Sequence, residues 1–411
     1  ENYAIDGIHF DDYFYPYPDD KFSGVTTEDA QTFTQYGSGF ANVKEWRRHN
    51  VNQTIKLVSE ALQAARPQAR FGVSPFGIYK NGVPTGITGM DAYNAIYADP
   101  LNWLENQYVD YLTPQLYWPI GGSQDYTKLL EWWADKAYAS SRHLYAGHAI
   151  YKTTYSEQEI PNQIAVTRNN RSRNAFGDVL YRSANIAGNT NNIFTTLKES
   201  TYRFPAAPPA MAWKNGEQPA APENLTVTLS EATGDYVISW QRNPANTDAF
   251  KRYLVYTSAS MPASITDIPE GAVRALATSE TFTIPAAEVP QHASYWVVTE
   301  LSSSNVESAL SNVATTGNLT AISNPAKESV LRVYPNPASR VMYADINLKK
   351  NAQVRVDLVS MDGRTKARVL QKRYEAGTHT LSINRDRLSP GLYALIITID
   401  RHRVVKRVIL K

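Results

Sequence analysis

The spacing of apolar positions changes character near residue 215. Before that point, short apolar runs of strand length alternate with longer stretches in which apolar residues recur at helical spacing. The runs are 3–10 (YAIDGIHF), 71–76 (FGVSPF), 109–118 (VDYLTPQLYW), 144–151 (LYAGHAIY) and 176–183 (FGDVLYRS). After the first comes a polar, Gly-containing loop to about residue 40, then Trp46, Val51, Ile55, Val58 and Leu62 at near-helical spacing, ended by Arg66-Pro67. Helical segments are predicted at 92–97 and 101–107, and a helix at 126–139 carrying Leu129, Leu130, Trp132, Trp133 and Ala137. Ser156 with Glu159 reads as a capping box opening the next helix, and 193–199 reads as the last one. Strand then helix, repeated without hairpin signals, predicts a parallel sheet covered by helices.

Each predicted strand ends in polar or aromatic groups: Asp11 and Asp12, Ser74 and Phe76, Gln115 with Tyr117 and Trp118, His148 and Tyr151, Tyr181 and Arg182. That suits a barrel, whose active site gathers residues from several carboxyl ends. A doubly wound sheet would show a Gly-rich phosphate loop, and none is present.

A Pro-rich passage at 204–222 closes this region, and from 223 the apolar period becomes two. Leu225, Val227 and Leu229, then Tyr236, Ile238 and Trp240, then Tyr253, Val255 and Tyr256 are separated by turn-rich gaps, as in a small β-sandwich. A second all-β unit begins near Ser329. The fold class predicted is therefore multidomain: the last five β/α units of a (β/α)8 barrel at 1–215, a linker at 216–222, a sandwich at 223–317, a linker at 318–328 and a second sandwich at 329–411.

Composition trims the possibilities. The net charge of +2 conceals a basic C-terminal segment and an acidic remainder, so the balance does not suggest nucleic-acid binding. The chain has no Cys, which removes disulfides, thiol nucleophiles and thiolate metal sites. No apolar run is long enough for a membrane span. The chain opens on Glu1 and enters a strand almost at once, so an upstream segment, with any signal peptide, is expected.

Candidate chemistry concentrates at 3–18, where the first strand ends in Asp11 and Asp12 and runs into Tyr13, Phe14, Tyr15, Pro16, Tyr17 and Pro18. Aromatic faces beside acidic groups suit a sugar, whose rings stack while its glycosidic oxygen needs a proton donor. Two neighbouring carboxylates cannot both ionise cheaply, so one is kept protonated and serves as the acid. Asp12 is the expected acid/base and Asp11 its electrostatic partner, with exchange of the two roles left open. A purely structural reading, in which the pair caps a turn or holds an arginine, stands beside this one. Tyr13, Tyr15, Tyr117, Trp118 and Tyr151 are candidate sugar platforms, and Arg47 is a candidate clamp for Asp11 or an anionic substrate. His9 is a candidate to tune Asp11 or contact substrate, beside the plainer reading of a strand-end histidine satisfied within the structure. Neighbouring strand residues alternate faces, so His9, Asp11 and Asp12 are not expected to form a metal site, and no cofactor is implied.

Residues 1–215, through DGIHFDDYFYPYP, EWRRHNVNQ, FGVSPFGIYKNG, YADPLNWLENQYVDYLTPQLYWPI and PPAMAW, resemble the glycosyl hydrolase-like 10 family. The resemblance implies a (β/α)8 barrel cleaving bacterial, peptidoglycan-type glycan, with about three units preceding Asp11's strand. Residues 223–317 resemble a fibronectin type III module through Trp240, Tyr253 and YWVVTELSSSNVESALSNVA. Residues 324–411, with VYPNPAS, VDLVSMDGR, GTHTLSI and LSPGLYALII, are similar to the C-terminal sorting domain of the type IX secretion system. That implies a Bacteroidota exporter, contact with its secretion machinery, delivery outside the outer membrane and removal of the tail during export. The run from Asp6 to Tyr13 is also similar to the DGxDxDxE strand of family 18 chitinases, which places Tyr13 at their acid and His9 at one of their Asp positions. A substrate-assisted mechanism is then open, with Gln115 and Tyr117 contacting an N-acetyl group. The rival reading is a non-catalytic glycan-binding or surface-attachment protein.

Overall fold

The computed structural model describes residues 3–411 except 4, 20–22, 215, 231–232, 248–250, 270, 286–287, 289–293, 317–329, 349, 361–365, 385–387 and 401. The predicted linker at 318–328 and the whole MDGR segment, 361–364, lie outside the described residues.

Five parallel strands, β1 (Gly7–Phe10), β2 (Arg70–Val73), β3 (Tyr111–Leu112), β4 (His143–Ala149) and β5 (Ala175–Tyr181), pair in sequence order into one sheet. Helices lie between them in the chain: α1 (Ala30–Tyr36), α2 (Val43–Ala65), α3 (Ala92–Ala95), α4 (Pro100–Glu105), α5 (Tyr126–Ala139) and α6 (Glu159–Asn169). The predicted alternation is therefore present, and β3 is much shorter than its apolar run. Pro114 lacks the N–H a ladder needs, and beyond it only Gln115 bridges both neighbours, at Phe76 and Gly147.

Helix α2 starts where Asn42 accepts the Glu45 N–H, and of the predicted stripe it buries Trp46, Val51, Ile55 and Leu62, with Val58 half-buried. Together with Trp103, Tyr126 and Trp133, these helices cover one side of the sheet. Two local expectations fail. Residues 30–36 are helical, although the segment buries no side chain and so carries no apolar stripe. The predicted capping box does not form: Gln158 is the N-cap, and the Glu159 carboxylate instead accepts the Ile120 N–H at 2.8 Å and the Gln163 amide at 2.8 Å.

At the amino ends of the strands, the Pro-rich passage is tied down rather than free. Asp110 accepts from Phe71 N–H at 2.8 Å and Trp213 Nε1 at 2.7 Å, and its Oδ2 pairs with Lys214 Nζ at 2.8 Å. Lys214 also donates to the Ala69 carbonyl, Met211 N–H bonds to Ser304 O, and Asn305 bonds to Pro209 O.

Further strands follow: β6 (Glu223–Leu229), β7 (Tyr236–Gln241), β8 (Arg252–Ser258), β9 (Val273–Ala277), β10 (Thr281–Ile284), β11 (Tyr295–Leu301) and β12 (Ala314–Thr315). They form two sheets, of orders β10-β7-β6 and β12-β11-β8-β9, the two-sheet arrangement the fibronectin type III resemblance implies. Trp240 packs edge-on against Tyr253 at 5.3 Å. The C-terminal strands are β13 (Val330–Tyr334), β14 (Val341–Leu348), β15 (Ala352–Ser360), β16 (Lys366–Tyr374), β17 (Gly377–Asn384), β18 (Gly391–Ile399) and β19 (His402–Leu410). They pair as β13-β14-β17 and β16-β15-β18-β19, all antiparallel, with Val354, Val356, Leu358, Leu381, Ile383, Leu395 and Ile397 in a common core. By compactness the chain divides into one unit of 1–225, 239–282 and 297–313, and another of 226–238, 283–296 and 314–411.

Asp110 is a buried carboxylate with three donors, so removing it strands a lysine ammonium and an indole N–H together. Asp110→Ala is expected to destabilise the parallel-sheet region by about 3 kcal/mol or more. Urea unfolding followed by tryptophan fluorescence checks this; a loss below about 0.5 kcal/mol would show that the clamp does not anchor this end of the sheet.

Candidate active site

The carboxyl ends of the five strands enclose a cleft of about 600 Å³, lined by His9, Asp11, Asp12, Tyr13, Tyr17, Ser74, Phe76, Thr113, Gln115, Tyr117, Gly147, Tyr151, Val179 and Tyr181. Strand β1 delivers the acidic pair. Its Phe10 packs edge-on against Phe71 at 5.3 Å, which fixes the register one residue before Asp11.

The two aspartates differ in environment. Asp11 is exposed, and its Oδ1 accepts from the Asp12 backbone N–H at 2.9 Å and from Gln115 Nε2 at 3.1 Å. Gln115 is itself held by donation to the Ser74 carbonyl at 3.1 Å. Asp12 is only 2% exposed, and its Oδ2 accepts a short hydrogen bond from the Tyr17 hydroxyl. Burial pushes the Asp12 carboxyl up to about 6, with the neighbouring Asp11 adding to the rise and the Tyr17 and Gln115 bonds opposing it.

His9 lies one layer below. Its Nδ1 is 3.1 Å from the Tyr111 hydroxyl and its ring stacks on Tyr111 at 5.7 Å, made possible because a Cβ on Gly72 would collide with that tyrosine ring. Burial lowers its proton affinity, and Asp11 opposes the effect. His9 lines the cleft, but its ring nitrogen bonds the Tyr111 hydroxyl rather than Asp11.

Opposite the acidic pair stand three tyrosines. Tyr117 stacks on Tyr181 at 5.9 Å, and Tyr151 meets both edge-on at 6.1 and 6.0 Å. Tyr13, 79% exposed, completes the aromatic surface on the β1 side. Tyr15 turns away against Tyr97 at 4.9 Å and lines an adjoining hollow of about 570 Å³ with His9, Asp11 and Tyr13. Trp118 packs behind the wall, edge-on to Phe76 at 5.6 Å.

Arg47 is not a clamp for Asp11. It is 2% exposed and spends its donors on Asp29 Oδ2 at 2.8 Å, Asp29 Oδ1 at 2.5 Å, the Val25 and Thr26 carbonyls and the Tyr97 hydroxyl. Its function is to fold the 25–29 segment onto α2. The sequence reasoning missed Tyr17, Thr113, Gly147 and Val179 as lining residues. Tyr17 alone left a signal, as the last ring of an aromatic run beginning beside the acidic pair.

The Asp12 proton has a consequence for stability. The folded chain holds it up to about pH 6, against 3.8 for the ordinary carboxyl, so its contribution is fully present below about 3.8 and is lost as pH rises through 6. Asp12→Asn, which cannot ionise, is expected to be more stable than the parent at pH 7 by on the order of 1–2 kcal/mol and nearly equal to it at pH 4. Thermal unfolding across pH 4–8 reads the difference, and parallel curves for the two proteins would contradict it.

Residues 1–163 match the family described as Glycosyl hydrolase-like 10, and residues 332–411 match the Secretion system C-terminal sorting domain. Glycosyl hydrolase YngK of Bacillus subtilis is 34% identical over 260 residues, 60% of this chain and 50% of that protein. Glycosyl hydrolase DigH of Escherichia coli K12 is 40% identical over 155 residues, 36% of this chain and 34% of that protein. The chain thus spans half or less of the length of these curated relatives. The sorting-domain match indicates type IX secretion, and among the described residues no helix is long and apolar enough to cross a membrane. The N-terminal segment is thus similar to the glycosyl hydrolase-like 10 family and the C-terminal segment to secretion-system sorting domains, the two resemblances its motifs carry.

Proposed function

We propose that this chain is the C-terminal five-unit part of a (β/α)8 barrel in an exported glycoside hydrolase that cleaves N-acetylated, peptidoglycan-like glycan. The observation that carries the reading is the unequal acidic pair: a buried Asp12 that keeps its proton to about pH 6 beside an exposed Asp11, in a cleft walled by tyrosines. Asp12 gives a proton to the glycosidic oxygen, and Asp11 supplies negative charge to the oxocarbenium-like centre.

The closeness of the pair constrains the mechanism. Both carboxyls line the same cleft, and the Asp11 side chain acts directly on that of Asp12, adding to the rise in its proton affinity. A nucleophile and an acid on opposite faces need carboxyls about 5 Å apart or more. The attacking group is then water or the substrate's own acetamido oxygen, with Gln115 and Tyr117 contacting the acetamido group. Tyr13, Tyr151 and Tyr181 supply ring faces for the flanking sugars. The tail serves export through type IX secretion, with release or attachment outside the outer membrane.

A second reading, glycan binding without turnover, is favoured by the near-complete burial of Asp12 and by Tyr13 standing at the family 18 acid position. The two separate on purified peptidoglycan glycan strands, with and without stem peptides, using the protein at its full upstream length and mass spectrometry of products. Hydrolysis predicts short muro-oligosaccharides from the parent, at least 100-fold less from Asp12→Asn, and resistance of de-N-acetylated strands. Binding by both proteins with no product from either would replace hydrolysis by the binding reading.

A further inference from the structure

We propose that Tyr17 is a positioning residue of this cleft: the hydrogen bond it donates to Asp12 Oδ2 orients that carboxyl and favours its ionised form. The catalytic meaning rests on the hydrolase reading above, whereas the effect on the proton does not.

The geometry is specific to Tyr17. Four residues separate it from Asp12, and it lies between Pro16 and Pro18, whose rings fix the local backbone. The chain turns at once after the acidic pair, through a Phe14 N–H bond to the Asp12 carbonyl at 2.9 Å. Phe14 and Tyr15 are drawn into the helical layer against Trp103 and Tyr97, at 5.2 and 4.9 Å, while Tyr17 returns to the cleft. Its ring is held edge-on by Tyr13 at 6.2 Å and Phe76 at 6.2 Å. The hydroxyl stays a neutral donor, because burial and both carboxylates raise its proton affinity well above that of an ordinary tyrosine.

The titratable and polar groups facing Asp12 come from three directions. Asp11 follows the same strand, Tyr13 and Tyr17 lie on the succeeding loop, and Gln115 and Tyr117 come from the extension of β3. His9 lines the same cleft a layer lower, bonded to Tyr111. A bond donated to a carboxylate favours its ionised form, so Tyr17 opposes the effects of burial and of Asp11. Without that donor, Asp12 holds its proton more tightly and loses one constraint on its orientation.

The test is 13C NMR titration of the full chain labelled at aspartate carboxyls. In the parent the Asp12 midpoint is expected at about 6. In Tyr17→Phe it is expected to rise by about one pH unit. With 3-fluorotyrosine at position 17, a more acidic donor of nearly the same shape, it is expected to fall. The alkaline limb of glycan cleavage should move in the same direction as each midpoint. An unmoved midpoint in both substituted proteins overturns the proposal; if Tyr17→Phe does not fold, an unmoved midpoint with 3-fluorotyrosine alone does so. Cleavage by the parent with unmoved midpoints defeats the Tyr17 role and leaves the hydrolase reading standing. Shifted midpoints with no cleavage by the parent support Tyr17 and count against the hydrolase reading.

Discussion

A carboxyl group removed from water at the end of a buried strand must find compensation, and Asp12 finds it by holding its proton up to about pH 6 and by accepting the Tyr17 hydroxyl. Asp12 cannot move out to solvent because Phe10, two residues earlier, is packed on Phe71 and because its own N–H is spent on Asp11. Asp11 cannot rotate freely because Gln115 is held between it and the Ser74 carbonyl. Residues from β1, the end of β2 and the extension of β3 thus fix one another. The chemistry of the cleft depends on that mutual restraint more than on any one side chain.

The rest of the N-terminal region maintains this arrangement from a distance. Parallel pairing in strict sequence order brings five carboxyl ends to one side, and the helices bury the opposite requirement, a large apolar surface, through Ile55, Trp103 and Trp133. At the other end of the strands, Asp110 gathers Phe71, Trp213 and Lys214 around one carboxylate. The same strand pair, β2 and β3, is therefore held by polar bonds at both ends, with its apolar centre between them.

Much of this was legible in the sequence, because burial on a sheet and on a helix face leaves periodic traces. The stripe Trp46, Val51, Ile55, Val58, Leu62 and the period-two runs after residue 223 both fall in the elements they predict. The acidic strand end, Gln115, Tyr117 and Tyr151 meet in one cleft for the same reason: strand ends of a parallel sheet converge. What was not legible depends on choices among partners far apart in sequence. Arg47 found Asp29 and Tyr97 instead of Asp11, and Glu159 found Ile120 instead of its own helix start. Tyr17 and Tyr15 are alike in the sequence, yet one faces the cleft and the other packs against Tyr97, because the turn after Asp12 decides which ring returns.

In the proposed mechanism an adjacent acidic pair acts on a sugar whose acetamido group lies against Gln115 and Tyr117. The most direct measurement is a crystal structure of the Asp12→Asn variant, at full upstream length, soaked with an N-acetylated glycan oligosaccharide. The account predicts a glycosidic oxygen within hydrogen-bond reach of residue 12 and the acetamido oxygen beside the Gln115 and Tyr117 side chains. A sugar bound with its acetamido group turned away from these residues, or bound outside the cleft altogether, would contradict it.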